Sequence, residues 1–299
     1  MRIANPIYDV VFKYMMEDLK VAKAFISAII GVEVVELDFC PQEFVVRYKE
    51  DSHTVIRMDF MARVKVSDGE YKAIIIEMQK AKLATDIARF RRYVGSQYRN
   101  ENNFYQDEKK KKHAMQIYCI FFLGDGLGVA EIPVLTVTNL VKDRLTGEEL
   151  YIRNEFIDSL HHLSWIVQIP NLKKHRRDDL EKLLSIFDQS NRTDCNHILN
   201  VNEEDFPEEY RHIIRRLRQA AESKEIEDQM LAEDDLISEF QEMERQIDEM
   251  DKVLEENKKV LEEKDKVLEE NKKVLEYKDK ELEYKDKLIE ELLRQINQK

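Results

Sequence analysis

The sequence predicts a mixed α/β core followed by a long C-terminal helix that forms a coiled coil. In the first 220 residues, short apolar runs alternate with amphipathic stretches, in the order helix, three strands, helix, strand. That order is typical of a sheet with helices packed against it. Beyond residue 220, Gly and Pro are absent and a heptad repeat follows. We therefore divide the chain into residues 1–220 and 221–299.

Charge is distributed unevenly between these two parts. The formal net charge is −13. Residues 221–299 hold 27 acidic and 15 basic residues, which leaves 34 acidic and 33 basic residues in the first part. The overall acidity therefore does not exclude nucleic acid as a partner of residues 1–220. The three cysteines lack the spacing of a zinc site, and neither a signal peptide nor an apolar run of membrane-spanning length is present. We expect a cytoplasmic protein that is not embedded in a membrane.

The N-terminal third predicts helices and then a β-hairpin. The stretch YDVVFKYMMEDLKVAKAFISAIIG predicts one helix or two short ones that end at Gly31. The strands EFVVRYK, TVIRMDFMARVKV and YKAIIIEMQ follow. Between the last two, Asp68–Gly69 is a strong signal for a hairpin turn.

The remainder of the first part alternates helices and strands. A helix is expected from about Thr85 to Asn100, followed by the buried strand AMQIYCIFFLG. The segments GEELYIRNEF and LSWIVQIP predict strands, and the segments RRDDLEKLLSIFDQ and PEEYRHIIRRLRQAA predict helices.

Heptads predict that the C-terminal part is a coiled coil. Position a is apolar throughout: Phe240, Ile247, Leu254, Leu261, Leu268, Leu275, Leu282, Ile289 and Ile296. Position d is apolar near both ends, at Leu236, Met243, Met250 and Leu292, and polar at Asn257, Lys264, Asn271, Lys278 and Lys285. Position g adds Val253, Val260, Val267 and Val274. We expect a homo-oligomer, and specifically a dimer, through residues 236–296. The alternative is a single solvated helix that does not pair.

A carboxylate in the middle of an apolar strand is the most informative feature. Burying Glu77 in AIIIEMQK costs several kcal/mol unless a partner offsets its charge. A hairpin turn at Asp68–Gly69 brings Asp59 opposite Met78, within a residue of Glu77 and Gln79. Two carboxylates that approach each other suit a hard divalent cation. The alternative is that Glu77 pairs with a nearby Lys or Arg.

These residues resemble a known nuclease superfamily. The motif MDF on one strand and IIIEMQ on the next are similar to the PD-(D/E)XK superfamily, specifically its transposase-like branch related to recombination-promoting nucleases. The segments YDVVFKYMM and RFRRYVGSQY also resemble that branch, so the likeness covers roughly residues 5–122, and WIVQIPNLKK matches more loosely. The resemblance implies a restriction-endonuclease-like core, a mixed sheet flanked by helices. It also implies that Asp59 and Glu77 bind Mg²⁺ or Mn²⁺.

The function implied is cleavage of DNA, but one residue departs from the superfamily pattern. Gln79 occupies the position of the usual Lys, although Gln is common in this branch. Gln can orient a water but carries no charge and no useful pKa. We therefore hold two hypotheses. One is a divalent-metal-dependent endonuclease that cuts duplex DNA with Asp59, Glu77 and Gln79. The other is a weakly active or inactive nuclease-fold module that binds nucleic acid or a partner.

Basic residues near the predicted site are candidates for contacts with phosphate groups. Arg89, Arg92 and Arg99 lie on the predicted helix opposite its apolar stripe, and Lys109 and Lys110 begin the run KKKKH. An ordinary solvated helix face and a solvated loop are the alternatives.

The first predicted helix supplies accessory candidates. Asp9, Lys13 and Glu17 are possible active-site groups. Asp9 and Lys13 are four residues apart, so the alternative is a simple ion pair on one helix face.

Overall fold

The computed structural model describes most of the chain, and contacts between residues divide it into the units Met1–Ile237 and Ser238–Lys299. The described ranges are 1–40, 43–49, 52–57, 60–79, 86–107, 109–128, 131–152, 154–173, 176–193 and 195–297.

The first unit is α/β. Its described strands are β1 (Arg2–Ala4), β2 (Val34–Phe39), β3 (Glu43–Lys49), β4 (Ser52–Arg57), β5 (Phe60–Val66), β6 (Tyr71–Gln79), β7 (Phe104–Gln106), β8 (Lys112–Ala114), β9 (Gln116–Leu123), β10 (Val134–Val137), β11 (Leu163–Gln168) and β12 (Ile198–Asn200). The described α-helices of the chain are α1 (Asp9–Met16), α2 (Leu19–Ile30), α3 (Asp86–Tyr98), α4 (Glu155–Ser159), α5 (Asp179–Leu184), α6 (Arg211–Ala221) and α7 (Lys224–Asn297).

A six-stranded mixed sheet forms the centre of the first unit. Its strand order is β10-β11-β9-β6-β5-β2. The strands β6, β9 and β11 are parallel to one another, whereas β2, β5 and β10 pair antiparallel with their neighbours. The predicted mixed sheet flanked by helices is therefore confirmed. Separate two-stranded sheets are formed by β1 with β12, β3 with β4, and β7 with β8.

The predicted hairpin is present as β5 and β6. Its described pairs run from Lys65 opposite Tyr71 to Phe60 opposite Ile76 without a shift in register. Gly69 adopts φ 89°, a conformation that side chains with a Cβ rarely take. The Asp-Gly turn signal therefore fixes how the two strands align.

One face of the sheet packs against α1 and α2 around a cluster of phenylalanines. Phe12 lies 6.1 Å from Phe25, 6.4 Å from Phe60 and 6.1 Å from Phe122, measured between ring centroids. The two helices separate where Asp18 caps α2 by accepting hydrogen bonds from the backbone N–H groups of residues 20 and 21. Gly31 ends α2 with φ 73°, as its position in the sequence predicts.

The other face of the sheet packs against α3. Tyr93 and Val94 of α3 are buried against Ile75 of β6 and Cys119 of β9. Successive side chains of a strand point to opposite faces, so the even-numbered residues of β6 face the phenylalanine cluster and the odd-numbered residues face α3. Because both faces of β6 are buried, its sequence is an almost continuous apolar run.

The start of α7 belongs to the first unit. Ile226 is 6% exposed and Met230 is 1% exposed, both within the main core. Asp234 accepts hydrogen bonds from the Tyr8 hydroxyl at 2.9 Å and lies 2.9 Å from His197 Nε2. The compact unit thus extends to Ile237, beyond the change in composition near residue 220.

Two predicted strands differ from the structure. The segment TVIRMDFMARVKV contributes to both β4 and β5, which lie in different sheets, and residues 58–59 between them are outside the described ranges. The segment GEELYIRNEF does not form a strand in its described residues: it makes one isolated bridge, between Glu149 and Lys142, and then enters α4. Tyr151 is 95% exposed, so the apolar alternation there is not buried against a sheet.

The second unit is helical. The described helix α7 continues to Asn297, over 74 residues from Lys224. The predicted long C-terminal helix is therefore confirmed. The leucines at position a are exposed along it, with Leu254 at 56% and Leu261 at 60%.

Candidate active site

Glu77 is the buried carboxylate of the central sheet. It lies third from the end of β6, is 6% exposed and stands opposite Phe121 of β9. Its odd number places it on the face that packs against α3, with Ile75 and Cys119. Phe90 of α3 contacts the Phe121 ring edge-to-face, with 4.4 Å between centroids. These described neighbours of the carboxylate are therefore largely apolar.

The charge of Glu77 affects its neighbourhood. Burial, and secondarily the negative charge of Glu77, raise the pKa of the Cys119 thiol. A cation beside Glu77 would offset this negative potential, and a carboxylate offers the hard oxygen donors that Mg²⁺ and Mn²⁺ prefer. The burial and chemistry of Glu77 thus fit a divalent metal ligand.

Gln79 lies on the same side of β6 as Glu77, at the end of the strand. Its backbone carbonyl accepts a hydrogen bond of 2.7 Å from the Gly124 N–H. Its side chain is partly exposed, in contrast to that of Glu77. Gln79 therefore lies where the buried strand meets solvent.

Asp59 and its neighbour Met58 lie outside the described residues. The described ladder of β5 begins at Phe60, which stands opposite Ile76, the residue before Glu77. The predicted approach of Asp59 to Glu77 and Gln79 thus remains a prediction. Among the residues that the structure describes, no group of three or more His, Cys, Asp or Glu side chains is arranged to hold a metal ion.

The basic candidates on α3 are partly described. Arg92 and Arg99 are exposed, and the Arg89 side chain is outside what the structure describes. Tyr93 and Val94 form the buried side of the helix, as its apolar stripe predicts. Arg92 is two residues from Phe90, which packs on Phe121 beside Glu77, and residues two apart on a helix do not face the same side. The exposed arginines of α3 therefore lie away from the side of the helix that packs on the sheet.

Lys109 and Lys110 lie at the other end of the site strand. They form the tip of the β7–β8 hairpin, where Asp107 accepts hydrogen bonds from the backbone N–H groups of Lys109 and Lys111. Both lysines are exposed. The hairpin packs on the start of β6 through Tyr105, whose ring centroid is 4.9 Å from that of Tyr71. Tyr71 and Glu77 are six positions apart along the strand, which is a distance of roughly 20 Å at the usual rise per residue.

The accessory candidates of α1 belong to the opposite face of the sheet. Asp9 and Lys13 form an ion pair at 2.5 Å, and Glu17 lies 3.8 Å from Arg216. The Asp9 N–H donates to Glu233 at 2.9 Å. The helix faces the sheet through Phe12, whereas Glu77 is on the α3 side. The structure does not bring these three residues together with Glu77.

A polar cleft of about 470 Å³ lies beyond the ends of β9 and β11, and no pattern in the sequence predicts it. The Asn5 amide donates hydrogen bonds to Gln189 Oε1 at 2.9 Å and to the Asn196 carbonyl at 2.8 Å. The carboxyl ends of parallel strands are a usual place for ligands in α/β proteins. Residues that line this cleft come from positions between 5 and 234, so no local spacing could reveal it.

Fold and site together define a mixed α/β protein with a buried glutamate on its central hairpin and a long C-terminal helix. Comparisons of the chain with family models, with curated proteins and with solved structures found no match. Among the described helices, none combines the length and apolar character needed to cross a membrane.

Proposed function

We propose that this protein is a divalent-metal-dependent DNA endonuclease of transposase-like type with a restriction-endonuclease-like core. The single observation that carries the proposal is the burial of Glu77 at the end of the central hairpin. Such a carboxylate is costly in a structural role unless a cation offsets its charge. The resemblance of the MDF and IIIEMQ segments to transposase-like nucleases gives that cation a function.

In this proposal, Asp59 and Glu77 hold Mg²⁺ or Mn²⁺. The ion, when bound, lowers the pKa of a water and stabilises negative charge on a phosphate. Asp59 immediately precedes Phe60 in the chain, and Phe60 stands opposite Ile76, so chain connectivity favours its approach to Glu77. Gln79 orients the attacking water through its amide but cannot accept the proton as a base.

Duplex DNA is the proposed substrate, bound by the basic residues around the site. Arg92 and Arg99 are exposed on α3, and we assign Arg89 to the same role. Lys109 and Lys110, on the hairpin that packs on the start of β6 roughly 20 Å from Glu77, would contact phosphates farther along the duplex. These contacts carry affinity rather than sequence preference.

A second candidate function follows from Gln79. Because Gln replaces the charged Lys of the superfamily, hydrolysis depends on the metal alone to activate water. The second candidate is therefore a weakly active or inactive nuclease-fold module for binding nucleic acid or a protein partner.

The long helix gives either candidate a means of assembly. We propose that α7 joins two copies through residues 236–296, so that a dimer brings two sites to one duplex. We propose a cytoplasmic location, where reducing conditions keep all three cysteines free.

Plasmid nicking tests the proposal. We expect the full chain to nick supercoiled DNA in Mg²⁺ or Mn²⁺, and EDTA to abolish the activity. Asp59→Ala and Glu77→Gln should each reduce the rate by at least about a hundredfold, because each removes a metal ligand. Glu36→Gln, which makes the same chemical change at an exposed glutamate, is the matched control.

The outcomes separate the two candidates. Nicking that survives Asp59→Ala and Glu77→Gln would contradict the proposed metal site. Absence of nicking by the unmodified chain, together with retained binding to duplex DNA, would favour the binding module.

A further inference from the structure

The exposed stripe of α7 carries charges that do not suit a lone helix. We propose that α7 pairs with a second copy of the chain in parallel and in register, and that lysines at position d and aspartates at position e select this arrangement. The inference rests on the self-association proposed above and adds its orientation, its register and the residues that determine them.

Outward positions of the helix carry opposite charges at a spacing that favours pairing within one chain. Glu255 at position b is followed four residues later by Lys259 at position f, and this Glu-to-Lys spacing recurs in the next heptads. Such pairs stabilise an isolated helix when glutamate precedes lysine by four residues. The outer face therefore requires no partner.

Aspartates at position e lack the favourable spacing found on the outer face. Between residues 257 and 286 this position holds Asp265, Asp279 and Asp286, and each has a glutamate three residues before it and another four residues after it. The residues four before and three after are leucine or isoleucine in every case. Like charges at these spacings destabilise a helix. In the described part of the chain, these three aspartates form no ion pair, so their charges are not offset within one copy.

A cation stands immediately before each of these aspartates, at position d. The residues are Lys264, Lys278 and Lys285. Consecutive residues of a helix point about 100° apart and do not face each other. Lys264 has only Val and Leu three and four residues away, so its charge has no helical neighbour of opposite sign. Lys285 does contact Glu281 of its own helix, at 2.6 Å.

The pattern changes where position d is asparagine. Asn257 and Asn271 occupy position d in alternate heptads, and the next residue is then Lys258 or Lys272 instead of aspartate. Each of these lysines has glutamates three residues before and four residues after it. Their charges are thus offset within one helix. Asp251 at position e follows Met250, whereas between residues 257 and 286 aspartate occurs at position e only directly after a lysine at position d.

A parallel pair in register brings these groups together. A position d side chain inserts into a hole of the facing helix that includes the equivalent position d and the position e after it. Lys264 then reaches the partner's Asp265, and the partner's Lys264 reaches Asp265 in return. Lys278 and Lys285 make the same reciprocal contacts with the partner's Asp279 and the partner's Asp286. The apolar layers also align, because each leucine at position a meets the same leucine of the partner helix.

Two of the alternative arrangements place lysine against lysine. One heptad of slippage in a parallel pair brings Lys264 to the partner's Lys272 or the partner's Lys258. An antiparallel pair that brings Lys264 to the partner's Asp279 also brings Lys285 to the partner's Lys258. The parallel, in-register pair places each of the three lysines beside its own equivalent and gives it a partner aspartate at position e.

A charge-swap experiment on the full chain tests this inference. One variant carries Lys264→Glu, Lys278→Glu and Lys285→Glu, and the other carries Asp265→Lys, Asp279→Lys and Asp286→Lys. Each variant alone should raise the dimer dissociation constant by at least about tenfold, because positions d and e then repel across the interface. An equimolar mixture of the two variants should form mixed dimers, because glutamate at position d of one chain then meets lysine at position e of the other. Analytical ultracentrifugation measures all three samples.

A matched control changes the same charges on the outer face. Lys266→Glu, Lys280→Glu and Lys287→Glu act at position f and should leave the dissociation constant within about threefold of the unmodified chain, because position f does not face the partner. Circular dichroism of every variant should show that α7 remains helical.

Disulfide trapping tests the orientation. Asn257→Cys in a Cys195→Ser background, oxidised with glutathione disulfide, should link two chains through residue 257, because a parallel pair in register places equivalent positions opposite each other. Cys40 and Cys119 are buried and should not compete. A dimeric sample that neither forms this disulfide nor recovers on mixing the swapped variants would overturn the inference while leaving self-association intact. A monomeric unmodified chain would overturn both.

Discussion

At the scale of single residues, Glu77 has the property that most constrains the function. Apolar residues on both faces of β6 place it inside the sheet, where an ionised carboxylate is costly. Its negative charge contributes to the raised pKa of the Cys119 thiol. Our proposal is that this carboxylate is placed there to bind a ligand.

Thiol reactivity provides a test at this scale. Burial raises the pKa of the Cys40 and Cys119 thiols, and both side chains are inaccessible, whereas Cys195 is exposed. A raised pKa keeps a thiol protonated, and therefore unreactive, until the pH exceeds that value. We expect one thiol per folded chain, that of Cys195, to react with iodoacetamide at pH 8, as read by peptide mass spectrometry. Rapid labelling of Cys119 would contradict the described packing around Glu77.

At the scale of elements, strands with strong local signals are predicted well and those with weak signals are not. The β5–β6 hairpin follows from Asp68–Gly69 and the apolar runs on either side. The segment around Tyr151 alternates like a strand, yet finds no partner and stays exposed, because periodicity predicts burial only where another element covers the face. The edge strand β2 and the short strands β7 and β8 escape prediction because their apolar runs are short or interrupted by charge.

Packing between elements is testable at Phe12. This α1 residue is fully buried among the rings of Phe25, Phe60 and Phe122. Phe12→Ala should lower the free energy of unfolding by about 3–5 kcal/mol, because it leaves a cavity in the core. Phe156→Ala, at a residue 71% exposed, should change it by less than about 0.5 kcal/mol. Urea denaturation measures both, and equal effects would contradict the described core.

At the scale of the whole molecule, composition and packing divide the chain differently. The sequence becomes acidic and free of Gly and Pro near residue 220, whereas the compact unit ends at Ile237. The heptad pattern indicates that α7 is a helix, but not that its first turns also bury Ile226 and Met230 in the core. That packing depends on residues such as Tyr8 and His197, more than a hundred positions from one another.

The same distinction between local and distant signals applies to the candidate site. Glu77 and Gln79 can be predicted as a pair because they lie two apart on one strand. The polar cleft around Asn5 and Gln189 cannot, because the fold assembles it from segments that are far apart in the sequence.

Truncation tests where the first unit ends. A chain of residues 1–220 should be less stable than one of residues 1–237, because burial of Ile226 and Met230 contributes about 1.5–3 kcal/mol for each side chain. It also loses the hydrogen bond from Tyr8 to Asp234. Urea denaturation compares the two, and equal midpoints would show that residues 221–237 add nothing to the core.

The central claim is that Glu77 is buried because it binds a divalent metal ion, and calorimetric titration with Mn²⁺ tests it most directly. We expect one saturable site per chain in the unmodified protein and in Glu36→Gln, and none in Asp59→Ala or Glu77→Gln. Because it does not depend on turnover, the titration remains decisive even if Gln79 makes hydrolysis slow. Unchanged binding of Mn²⁺ by Glu77→Gln would contradict the claim.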